Sequence, residues 1–93
     1  MTFVLIVHQV EDYPAWKAVF DGAAGIRKAA GEISFQVLTA DTDPNQVVHF
    51  SCWTDLEAAR GFFESDELVE IRRRAGVHAP VFTYLNERDH GVL

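Results

Sequence analysis

The chain is short of cysteine, of positive charge and of long apolar runs, and each shortage removes a class of protein. Cys52 is its only cysteine. No disulfide can therefore form within the chain, and a reducing cytoplasm is the expected setting. Lysine and arginine number 8 against 14 aspartates and glutamates, for a net charge of −6. That balance argues against DNA, RNA or anionic membrane as general partners. The basic–aromatic interleaving of nucleic-acid binders is missing too. The start, Met1-Thr2, has no basic segment, and Phe3–Val7 is too short an apolar run for a signal peptide or a membrane span. No Gly-rich phosphate loop, GxSxG, HExxH or CxxC occurs. His8, His49, His78 and His90 are too scattered to read as a metal site, so neither metal nor cofactor is expected.

What is present is apolar material, 48% of 93 residues with seven phenylalanines. A single domain spanning residues 1–93 hides only about two-thirds of its unfolded surface, so this supply exceeds the needs of one small core. Phe3–Val10 is a strand rich in β-branched residues and apolar on both faces until His8. Asp12 reads as a helix cap with Pro14 in the first turn. Trp16, Val19, Ala23, Ile26 and Ala30 then recur at helical spacing, and Gly31 stops the helix. Gly22 and Gly25 mark a bend or a close approach of backbones. Glu32–Ala40 alternates, with Ile33, Phe35, Val37 and Thr39 on one side. A turn at 41–46 leads into a third strand, Val47–Trp53. Asp55 caps a helix with Leu56, Ala59 and Phe63 on its apolar face. Ser65 or Asp66 caps a further segment carrying Leu68, Ile71 and Ala75, which closes on Arg72–Arg74 and Gly76. Pro80 opens the last strand, Val81–Glu87, and 88–93 is a tail.

The order βαββαβ predicts an α+β, ferredoxin-like domain. Right-handed crossovers put strands one and three in the centre of an antiparallel four-stranded sheet, with the helices on one face. The opposite face also carries Phe3, Leu5, Val7, Val48 and Phe50. At ~25 cal/mol per Å², leaving such a face wet forfeits many kcal/mol. Two copies packed sheet to sheet about a twofold axis remove that cost, so a homodimer is expected.

Trp53, Asp55, Glu57-Ala58, Phe63 and Ser65 resemble the W-x-[SD]-x-E-A…S pattern of antibiotic-biosynthesis monooxygenase-like proteins. The opening HQVEDYPAWKAVFD and the run ELVEIRRRAGV are similar to a poorly characterised branch of the same dimeric α/β-barrel superfamily. The resemblance implies that fold, a homodimer, and a cofactor-independent enzyme or binder for an aromatic or polyketide-like ligand. It also implies a histidine nine residues after the strand-end tryptophan, and Phe62 stands there.

Candidate site residues follow from chemistry. His8, near the end of a central strand, could handle a proton. His49 shares strand parity with Ser51 and Trp53, so a histidine, a hydroxyl and an indole lie on one face as a possible pocket wall. His8 and His49 are the catalytic candidates, and Trp53, Ser51, Tyr84 and Arg27 the binding ones. For each a plain structural role is the rival: a hydrogen-bonded core histidine, a packing face, a buried tyrosine, a solvated helix arginine. Arg72–Arg74 reads as a solvated helix end and Cys52 as a small buried hydrophobe. The rival to an enzyme is a non-catalytic dimeric ligand-binding or interaction module.

Overall fold

The structure is a computed structural model that describes residues 1–93, the side chain of Ala79 excepted. Its elements are β1 (Thr2–Val10), α1 (Tyr13–Gly22), α2 (Ala24–Ala30), β2 (Glu32–Ala40), β3 (Asp43–Trp53), α3 (Leu56–Phe63), α4 (Asp66–Arg74) and β4 (Val77–Asn86). The sheet order is β2-β3-β1-β4, with every pairing antiparallel. Strands one and three are central, as the crossover rule requires. Among the described residues no helix is long and apolar enough to cross a membrane.

The caps are those the sequence names. Asp12 accepts from Ala15 N at 3.1 Å, Asp55 from Ala58 N at 2.7 Å, and Ser65, not Asp66, from Leu68 N at 3.2 Å. Even-numbered residues of β1 point to the helices and are buried: Val4, Ile6, His8 and Val10. Across the ladder Val4, Ile6 and His8 face Ser51, His49 and Val47, and Thr2 faces Trp53; all of these are buried as well. The helices pack here as two apolar clusters. One joins Val4, Ile6 and Trp53 to Ala59, Phe63 and Leu68; the other joins Val10 and Val47 to Trp16, Phe20 and Ala75.

Three expectations need correction. The first long helix is two: α1 ends at Gly22 and α2 starts at Ala24, with Ala23 between them. A Cβ added at Gly22 or Gly25 meets nothing within 4 Å, so a bend, not close backbone approach, is what these glycines mark. The break resets the helical phase. Ile26 turns outward at 37% exposure, and Arg27 takes the buried position. Second, β3 begins at Asp43 and β4 at Val77, each earlier than read, despite Pro44 and Pro80 within them. Third, β2 does not alternate from its start. Glu32 pairs with Trp53 while Ser34 pairs with Cys52, so Ile33 is an extra residue that breaks the parity. Glu32 thereby joins the helix-facing set.

The other sheet face carries Phe3, Leu5, Val7, Val48, Phe50, Leu38 and Val81, with no helix over it. Phe3 and Phe50 stack at 5.4 Å between ring centres, while Leu38 and Val81 are 50% and 61% exposed.

The glycines yield a paired prediction. Gly31 sits at φ 124°, and a Cβ there would lie 2.7 Å from Thr54 Oγ1. Gly25 is an open helical site. G25A should raise unfolding free energy by about 0.5–1 kcal/mol, and G31A should lower it by about 1–3 kcal/mol. Urea denaturation of the two variants checks the contrast; equal shifts would contradict this backbone description.

Candidate functional site

A cavity of ≈ 60 Å³ lies between the helix-facing side of the sheet and the helices. Its walls come from every layer: Ile6 and His8 of β1, Trp16 and Phe20 of α1, His49 of β3, Phe62 and Phe63 of α3, Arg72 of α4 and Phe82 of β4. The rings form a continuous aromatic lining. Trp16 stacks on Phe20 at 4.9 Å, Phe20 meets the His49 ring edge-on at 4.9 Å, and Phe63 lies 5.6 Å from Phe82. A volume of this size is about two waters' worth, below the ~150 Å³ that accepts benzene. A second cleft of ≈ 360 Å³ shares Val19, Ala23 and Ile71 with it, at the break between α1 and α2. Joined, the two reach the ~300–1,000 Å³ of small-molecule pockets.

His8 is the polar group the fold leaves without a partner. It is 7% exposed, and neither Nδ1 nor Nε2 has a hydrogen-bond partner among the described residues. Its ring meets Trp16 edge-on at 5.5 Å. The β1–β4 ladder steps from Val7–Val81 to Gln9–His78, so an extra residue of β4 lies opposite His8, in the stretch that contains Pro80. Burial first, then the charges of His49 and Arg72, lower its pKa from 6.5 to about 4. A buried polar group without a partner costs free energy and points to a ligand or water.

His49 is differently placed. Its Nε2 lies 3.0 Å from Glu32 Oε2, while Arg27 Nε donates to Glu32 Oε1 at 2.7 Å. The three side chains are 4–5% exposed. Arg27 also donates from Nη1 to Phe20 O and lies with its guanidinium carbon 3.7 Å from the Phe20 ring centre. Glu32 thus fixes one nitrogen of His49 and neutralises Arg27. Removing one partner of such a buried pair costs about 3–5 kcal/mol, because the other charge is left uncompensated.

The remaining candidates divide. Ser51 and Trp53 do share the face with His49, but Trp53 Nε1 donates to Ser51 Oγ at 2.8 Å and neither lines the cavity. Trp53 backs the wall instead, 5.4 Å from Phe62 and 5.1 Å from Phe63. Tyr84 has a buried hydroxyl without a partner among the described residues, outside the cavity lining. Burial and then Glu64 push its pKa up, against Arg60 and Arg72. Arg27 lines the cavity, yet its charge belongs to Glu32 and it is no solvated helix arginine. Sequence reasoning missed Glu32 and Arg72. A strand bulge hides the first. The second is concealed in a run of three arginines, of which Arg72 alone turns inward, donating from Nη1 to Phe63 O at 3.1 Å. Among the described residues no three His, Cys, Asp or Glu side chains gather to hold a metal.

The lowered pKa of His8 makes stability depend on pH. Between pH 6.5 and about 4 the unfolded chain binds this proton and the folded chain does not. Stability from this group is intact above pH 6.5 and falls as pH drops toward 4, by up to ~3 kcal/mol. Urea midpoints at pH 7.5 and 5 should therefore separate more in the wild type than in H8L; identical slopes would remove His8 as the cause.

A family model for antibiotic biosynthesis monooxygenase matches residues 8–74. Among solved structures the chain is similar to SnoaB of Streptomyces nogalater, a cofactor-independent oxygenase, at 18% identity and TM-score 0.76, over 96% of this chain and 93% of that one. It is similar to the ActVA-Orf6 monooxygenase of Streptomyces coelicolor in complex with nanaomycin D, at 18% identity and TM-score 0.67, over 99% and 91%. Rv0793 of Mycobacterium tuberculosis gives 16% identity and TM-score 0.69, over 99% and 100%. The comparison with curated proteins finds no match. At these identities the solved structures establish the shared ferredoxin-like fold, and the family match takes in His8, His49 and Arg72 of the cavity wall but not Ile6 or Phe82. The chain belongs to the antibiotic biosynthesis monooxygenase family.

Proposed function

We propose that the protein is a cofactor-independent oxygenase acting on an aromatic, phenolic or polyketide-like small molecule in this cavity. The observation that carries the reading is His8, a buried imidazole with two unpartnered nitrogens against an aromatic lining. The likeness to SnoaB, an oxygenase, and to a monooxygenase holding nanaomycin D supports it.

The chemistry uses a neutral base. With its pKa near 4, His8 is uncharged at neutral pH and can accept a proton. The proton comes from a phenol or an activated methylene beside the ring. The substrate anion left behind offsets the cost of the buried imidazolium. That anion delivers electrons to O₂: a methylene becomes a carbonyl, one oxygen atom enters it and the other leaves as water. The substrate supplies all the electrons. Ile6, Phe20, Phe63 and Phe82 would keep bulk water away, and His49, steadied by Glu32, is the second proton-handling group.

Oxygen uptake with an anthrone tests this. The wild type should consume O₂ with saturation as the quinone forms. H8L should be slower by about 10²–10⁴-fold, the span of a lost general base. Phe62 favours a second reading: where the family resemblance implies a histidine, the cavity wall carries a hydrocarbon ring. Saturable quenching of tryptophan fluorescence by the anthrone without O₂ uptake would establish a ligand carrier instead.

We also infer a cytoplasmic homodimer closed through the uncovered sheet face, completing a dimeric α/β barrel. Val81 is a clean probe, since at 61% exposure it holds no core in the single chain. Light scattering at micromolar concentration should find a dimer for the wild type and a monomer for V81E. A monomeric wild type would overturn the inference.

A further inference from the structure

We propose that Glu32 is a positioning residue for the oxygenation: it fixes His49 with hydrogen on Nε2 and a bare Nδ1, and that Nδ1 removes the second proton from the reacting carbon. This rests on the reading of the cavity as an oxygenase site. Arg27, Glu32 and His49 are 4–5% exposed, and apolar residues of the same volume often fill such a space with no loss of stability. Stability alone does not call for the triad. Arg27 Nε donates to Glu32 Oε1 at 2.7 Å, and Oε2 lies 3.0 Å from His49 Nε2. An ionised carboxylate accepts and cannot donate, so the facing nitrogen of His49 bears the hydrogen. In the neutral imidazole the lone pair then sits on Nδ1.

The ring is held as well as its hydrogen. Phe20 and Phe63, both cavity walls, meet it edge-on at 4.9 and 6.4 Å, and Phe35 does so at 6.3 Å. Arg27 donates to the Phe20 carbonyl and lies 3.7 Å from the Phe20 ring centre, so it steadies two neighbours of His49 at once. His49 lines the cavity and Glu32 does not, which puts the imidazole between the carboxylate and the ligand space. His8 is the contrast. It pairs with Val47, so it stands diagonally across the β1–β3 ladder from His49 on the same sheet face. Diagonal neighbours are about 7–8 Å apart, so a carbon between them can meet both rings. With no partner on either nitrogen, His8 can take a proton and pass it on. His49 offers one fixed acceptor.

Turning a methylene into a carbonyl removes two protons from one carbon. The first passes through His8 to the terminal oxygen of the peroxide formed when the carbanion adds O₂. The second leaves the same carbon for His49 Nδ1 as the C=O bond forms and the O–O bond breaks. The departing hydroxide then takes that proton from His49 and becomes water.

Nitrogen NMR of histidine-labelled protein at pH 7.5 reads the tautomer. The wild-type His49 signal, assigned by its loss in H49Q, should show hydrogen on Nε2 and a bare Nδ1; hydrogen on Nδ1 would overturn the proposal. Stopped-flow with anthrone then follows O₂ uptake and quinone together. Wild type should form quinone in step with O₂ consumed. In E32Q the amide can donate to His49 and free the tautomer, so KM should hold while quinone lags behind O₂ by about 10²-fold, the lower end for a lost general base. H49Q keeps an amide that can donate to Glu32, leaves the ion pair satisfied and should lag alike. Quinone in step with O₂ in either variant would overturn the role, and H49Q with the wild-type spectrum decides it if E32Q folds poorly. No O₂ uptake by the wild type would remove the oxygenase reading and this role with it, while the spectrum still decides the hold of Glu32 on His49.

Discussion

A carboxylate cannot be buried alone, and Glu32 is buried. That constraint organises the helix side of the sheet. Glu32 lies at the first residue of β2, Arg27 on α2 and His49 in the centre of β3, so two contacts of 2.7 and 3.0 Å tie three elements together. Gly31 makes the turn between Arg27 and Glu32 possible, its positive φ and missing side chain accommodating Thr54. The pair also settles the cavity's electrostatics. With Arg27 paired, His8 stays uncharged through its burial first and then through the charges of His49 and Arg72.

Much of the fold was legible because it follows from patterns with a short period. Asp12, Asp55 and Ser65 sit where cap chemistry demands, and the central positions of β1 and β3 follow from crossover handedness. The helix-facing parity of His49, Ser51 and Trp53 follows from simple alternation. The site was half legible. His8 and His49 were readable as imidazoles on buried strands. That Trp53 and Ser51 would satisfy one another was not, because an i, i+2 pair on one face can turn inward or toward each other.

What escaped was phase. A bulge at Ile33 swings Glu32 to the helix side, and the break at Ala23 exchanges Ile26 for Arg27. Periodicity assumes an unbroken register, so a one-residue insertion flips the faces beyond it in a strand and turns them by about 100° in a helix. Arg72 is a different case. In a run of three arginines the spacing says which one faces inward only when the helix's packing is known, and α4 packs through Leu68, four residues earlier on the same face.

These irregularities coincide with the site, and there is a physical reason. A regular strand or helix satisfies its own backbone and packs its side chains into a filled core, leaving neither space nor unpaired polar atoms. The extra residue of β4 opposite His8 interrupts a ladder at the one position where an imidazole is left without partners. The break at Ala23 leaves a wall shared by the small inner cavity and the larger outer cleft. The inner space of ≈ 60 Å³ is smaller than an aromatic ring needs, so a ligand of that size would extend past this wall into the outer cleft. Ala23 contributes only a methyl group to that wall, at the junction of two helices. The irregular points of the chain are where space and unpaired polarity can exist together.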